Sequence, residues 1–144
     1  MYEINDEHVI ARMLALCRTI AVVGLSASPE RDSYQVARYL QSHGYCIVPV
    51  NPTYSGEVIL GELCHPSLYA AAEKLGVAGQ KIDMVDCFRR GDAMEAIADA
   101  AIDIGAQCLW MQLGVINQVA AAKASAAGLA VVMDRCTKIE HAYL

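Results

Sequence analysis

The chain has 144 residues, a formal net charge of −5 and 56% hydrophobic residues. That length suits one domain, here residues 1–144, with a sizeable core, and the acidic balance lacks the basic face that general nucleic-acid binding needs. No run of about 18 apolar residues is free of charge, so no membrane span is expected. The first residues, "MYEINDEHVI", are acidic and lack the basic-then-apolar order of a secretion signal, so the expected location is cytoplasmic.

Residues 6–17, "DEHVIARMLALC", place Val9, Ile10, Met13, Leu14 and Leu16 at helical spacing behind Asp6, a good N-cap. "TIAVVGL" then reads as a buried strand, short, continuous and β-branched. A helix follows from Ser33 to His43, with Val36, Ala37, Tyr39 and Leu40 on its apolar side and Gly44 as its stop. "YCIVPV" is a second buried strand ending at Asn51-Pro52. The next loop holds a short edge strand at Val58 to Leu60, and a helix runs from Pro66 to Leu75.

"KIDMVDCF" is the next strand, and "RRGD" leads into a helix from Ala93 to Ile104. "QCLWMQ" is a strand with Trp110 as a core residue, "INQVAAAKASAAG" a helix, and "LAVVMD" the last full strand. The tail "RCTKIEHAYL" carries no clear pattern. Buried strands alternating with helices describe a single doubly wound α/β domain. Its sheet is mainly parallel, with helices on both faces, which is a Rossmann-like arrangement.

Six cysteines stand at 17, 46, 64, 87, 108 and 136, none in a C-x-x-C pair. Neither a disulfide framework nor a zinc site is expected from that spacing. Cys46, Cys87 and Cys108 fall in apolar runs and read as small core residues.

Open parallel sheets bind ligands beyond the carboxyl ends of their strands. Five loops lie there, and they hold Arg31, Arg89, Arg90 and Arg135, four of the seven arginines in the chain. Guanidinium forks suit phosphate oxygens; the competing use is pairing with Asp32, Asp92 or Asp134. In the loop "GLSASPERDS", Gly24 lets backbone approach a ligand, Ser26 and Ser28 offer hydroxyls, and the next helix begins with free N–H groups. The pattern departs from G-x-G-x-x-G at Ser26 and Pro29, and the second strand ends in Asn51 rather than an acid. Both departures count against a nicotinamide-dependent oxidoreductase, which stays as the alternative. No G-K-[ST] phosphate loop is present.

The stretches "VVGLSASPERDSYQVARYLQSHGY", "VPVNPTYSGEVILGE", "DMVDCFRR", "LWMQLGV" and "AGLAVVMDRC" resemble, in order, the small bacterial and archaeal CoA-binding proteins. Their Rossmann-type fold is similar to the CoA-binding domain of the succinyl-CoA synthetase alpha chain. The resemblance spans roughly residues 5–140 and implies coenzyme A, or an acyl-CoA, as ligand. By the same resemblance Gly24, Ser26, Ala27, Ser28 and Arg31 meet the nucleotide phosphates, and Asn51 and Pro52 line the cleft. Phe88, Arg89, Gln112, Gly114, Arg135 and Cys136 complete the implied site. The stretch "YAAAEKLGVAGQKID" is longer than the connection expected there.

Ligase chemistry of the succinyl type needs a phosphorylated histidine on another domain. None of His8, His43, His65 and His141 falls in a rim loop, so the expectation is binding without a reaction of its own. Cys136, beside Arg135, is the one redox candidate, and the second alternative is a CoA-linked thiol-redox or regulatory protein that uses it; its bland use is as a partly buried structural cysteine. Phe88 either packs on the ligand or joins the core. The ligand is thus a small molecule, and no protein partner is legible.

Overall fold

A computed structural model describes residues 2–144. The chain begins with α1 (Glu7–Leu16), whose first turn is held by Asp6: its carboxylate accepts from the His8 and Val9 amides. Helix α1 buries Ile10, Met13 and Leu14 and delivers the chain to β1 (Thr19–Val23). The order then runs α2 (Asp32–Ser42), β2 (Cys46–Val50), β3 (Val58–Ile59), β4 (Glu62–Leu63) and α3 (Leu68–Val77). It continues through β5 (Met84–Cys87), α4 (Met94–Asp103), β6 (Cys108–Met111), α5 (Gln118–Ala126), β7 (Ala130–Val132) and α6 (Thr137–Ala142).

The main sheet has five parallel strands in the order β2-β1-β5-β6-β7. Alternation along each strand sends side chains to two separate cores. Ile20, Val22, Ile47, Met84, Trp110 and Val132 join Met13, Leu14, Val36 and Leu40 on the face covered by α1, α2 and α6. Ala21, Val23, Val48, Val85, Leu109 and Val131 join residues of α3, α4 and α5 on the other. The α/β, Rossmann-like architecture expected from the strand–helix rhythm is therefore the observed one. Among the described residues no helix is long and apolar enough to cross a membrane.

Four local features differ from the sequence expectation. The tail after β7 forms α6; its only large apolar residue, Ile139, is 45% exposed, so no apolar periodicity announces the helix. Cys46 is exposed rather than core, because it opens an edge strand. The edge strand near residue 58 has a partner, β4, in an antiparallel hairpin. The long stretch before β5 lengthens α3 to Val77.

Both outer edges of the sheet are occupied. On β2 the chain at His65 adds a parallel bridge to Val50, with His65 N–H donating to the Pro49 carbonyl at 3.0 Å. On the other edge the Asn5 side chain acts like a short strand. Its Nδ2 donates to the carbonyl of Met133, just past β7, at 2.9 Å, and its Oδ1 accepts from the Met133 amide at 2.7 Å.

Candidate functional site at the carboxyl rim

From β1 the chain crosses to β2 on one side and later returns to β5 on the other. Strand order reverses between β1 and β5, and their following loops part there to leave a crevice. The β1–α2 loop starts at Gly24, with φ +88°. A Cβ at that position would run into the Phe88 carbonyl oxygen, so the two loops pass each other at backbone contact only because residue 24 has no side chain.

The loop is braced internally. Ser26 N–H donates to Ser33 Oγ at 3.0 Å, and Ser28 N–H donates to Ser26 Oγ at 3.0 Å. Asn51 ties in the neighbouring loop: its Nδ2 donates to the Leu25 carbonyl at 3.1 Å and its Oδ1 accepts from Thr53 N–H at 3.0 Å. The helix that follows, α2, has Arg31 at its N-cap and no side chain on its first-turn amides. Helices α1, α3 and α5 are capped by Asp6, Ser67 and Asn117. Helix α2 therefore leaves donor groups and the positive end of its dipole at the rim.

Three adjoining cavities follow the crevice. A polar one of about 430 Å³ is lined by Gly24, Ser26, Ser28, Arg31 and Asn51. A larger one of about 580 Å³ lies toward α6, lined by Phe88, Arg89, Gln112, Val115, Cys136 and Ile139. A mostly apolar one of about 330 Å³ lies on the opposite face, between Pro52, Leu68, Tyr69, Ala96 and Ile97. Phe88 borders the first two, and Arg89 borders the second and third. The three therefore lie side by side along the rim, with Phe88 and Arg89 as shared walls.

The rim charges divide into two groups. Among the described residues neither Arg31 nor Arg89 enters an ion pair. Arg90 pairs with Asp92 at 3.2 Å, the local use anticipated as the alternative to ligand contact. Arg135 departs from the implied site. It borders none of the three cavities, and its guanidinium bridges Glu7 at 2.9 Å and Glu140 at 3.1 Å, so it clamps α1 to α6.

A family model for the CoA binding domain matches residues 18–142. The chain belongs to that family. It is 35% identical over 133 residues to the uncharacterised protein YneT of Bacillus subtilis, covering 92% of each chain. Two solved structures share its architecture. A hypothetical protein from Pyrococcus horikoshii has TM-score 0.85 and 37% identity, over 96% of this chain and 92% of that one. A Thermus thermophilus protein has TM-score 0.86 and 30% identity, over 96% and 98%.

Of the other residues implied by membership of this family, Pro52 falls in the apolar cavity. Ala27 packs against the α1–α2 core, and Gly114 N–H donates to Asp134 Oδ1 at 2.7 Å; neither borders the three cavities. Cys136 borders the large cavity but is only 8% exposed. Trp110 is fully buried, and its Nε1 donates to the Arg135 carbonyl at 2.8 Å.

Two residues beneath the site escaped the sequence reading. Asp86 in β5 is fully buried, and burial pushes its carboxyl up to about 7 against hydrogen bonds from Gln112 and Thr137. Thr137 opens α6 and is equally buried. The available signal was the acid inside "MVDC": a carboxylate in a central parallel strand has no solvent to face.

Proposed function

We propose that this protein binds coenzyme A or an acyl-CoA across the carboxyl rim and carries out no reaction of its own. The observation that carries the proposal is the pair Arg31 and Arg89. Both are cationic and free of carboxylate partners among the described residues, and they flank the uncapped start of α2 in a chain of net charge −5. A pyrophosphate and a 3′-phosphate suit that arrangement. The apolar cavity between α3 and α4 suits the adenine ring. The 580 Å³ cavity suits the pantetheine arm, which would run past Phe88 toward Cys136.

Calorimetry with CoA, 3′-dephospho-CoA and NADH tests this. Saturable CoA binding is expected, with NADH failing to compete. Arg31→Ala and Arg89→Ala should each weaken CoA binding by about 1.5–3 kcal/mol, the worth of a charge-assisted hydrogen bond. A smaller loss with dephospho-CoA identifies the arginine that holds the 3′-phosphate. Unchanged affinity in both variants would remove the rim assignment.

A second use of the same site follows from Cys136 bordering the arm cavity. Its thiolate would attack CoA disulfide, form a protein–CoA mixed disulfide and release one CoA thiolate. The burial of Cys136 works against this exchange. Intact-mass measurement after incubation with CoA disulfide decides: a CoA adduct lost in Cys136→Ser supports it, and no adduct excludes it.

A further inference from the structure

Asp86 alternates with Met84 in β5 and so points to the face covered by α6. Its Oδ1 accepts from Gln112 Nε2 at 2.6 Å, and its Oδ2 accepts from the Thr137 hydroxyl at 3.0 Å. The second Gln112 Nε2 hydrogen goes to Thr137 Oγ1 at 2.9 Å. Both amide hydrogens are therefore committed inward. With Asp86 ionised, turning the amide over would set two acceptor oxygens 2.6 Å apart, so the ionised carboxylate fixes which end of Gln112 faces out.

Gln112 is 3% exposed and borders the 580 Å³ cavity. Its Oε1 has no protein partner, and among the described residues no buried side-chain polar atom lacks one. That oxygen therefore opens onto the cavity. The same cavity is lined by the apolar Phe88, Val115 and Ile139 and by the charged Asp32, Arg89, Arg90 and Lys138; the Gln112 oxygen itself, as an acceptor, takes a donor and not a phosphate or carboxylate oxygen. It suits an N–H flanked by carbon atoms.

We propose that Asp86 is a positioning residue that, through Gln112, presents one fixed acceptor to a secondary-amide N–H of the ligand's arm. The inference rests on the CoA reading, since the pantetheine arm carries two such amides and the nucleotide end carries none. It assigns the arm to the α6 side of the sheet and gives the site a means of preferring CoA over nucleotides that lack the arm.

The test compares CoA with 3′,5′-ADP, which lacks the arm, on the full chain. The wild-type preference for CoA over 3′,5′-ADP should fall about tenfold in Asp86→Asn and in Gln112→Met, the size of one hydrogen bond lost. A general structural role would weaken both ligands together and leave their ratio unchanged; that result overturns the inference while the CoA reading stands. If the wild type binds 3′,5′-ADP and CoA equally, the arm contributes nothing and the inference also falls. If it binds neither, the CoA reading itself is lost. A readout that needs no variant is proton NMR of CoA bound to the wild type. One arm amide proton should move downfield and exchange more slowly, and two unshifted amides would contradict the proposal.

Discussion

Gly24 is the residue on which the crevice geometry depends most directly. Its positive φ strains any L side chain, and a Cβ there meets backbone rather than a flexible side-chain tip. Gly24→Ala should therefore lower stability by about 1–3 kcal/mol, the cost of a non-glycine residue in that region. Urea titration measures it, and an unchanged midpoint would mean the loops after β1 and β5 separate without cost. At this scale the sequence was partly legible. The small residues after β1 marked the loop, because glycine and serine in a strand-to-helix turn have few other uses. The fate of Arg135 was not legible, since its partners Glu7 and Glu140 come from different helices and one lies far away in the chain. Asp86 was hidden for the opposite reason: its surroundings look like plain core.

Elements were read more securely than side chains. Four strands of four or five residues and one of three are mostly apolar and buried, with Asp86 in β5 as the charged exception, and such runs name themselves. What the pattern omitted was short and held by tertiary contact, as in α6 and the β3–β4 hairpin. The treatment of the sheet edges belongs here too. An unpaired edge invites pairing with another chain, and on the β7 side Asn5 answers both polar groups of Met133. Asn5 also adopts φ +61°, which asparagine tolerates better than most residues. Asn5→Ala should cost about 2–3 kcal/mol, from two lost hydrogen bonds of about 1 kcal/mol each plus the backbone strain. Amide hydrogen exchange at Met133 should speed up in the variant, and unchanged protection there would show that the clip is not what shields this edge.

For the molecule as a whole, Asp86 ties stability to pH. In the unfolded chain its carboxyl loses its proton near the ordinary value of 3.8, whereas the folded state keeps it to about 7. Between those values the folded state binds more protons, so the contribution of this group to stability falls as pH rises and then levels off. Asp86→Asn removes that slope. The urea midpoint of the variant relative to the parent should therefore improve between pH 5 and pH 8, and the reverse trend would mean that the buried group is held as a favoured carboxylate. The exposure of Cys46 has a practical side as well. Of the six thiols it alone is open to solvent, at the start of an outer strand and remote from the three rim cavities. A maleimide dye offered in limited amount should couple once per molecule there, giving a fluorescent reporter whose attachment leaves the crevice untouched.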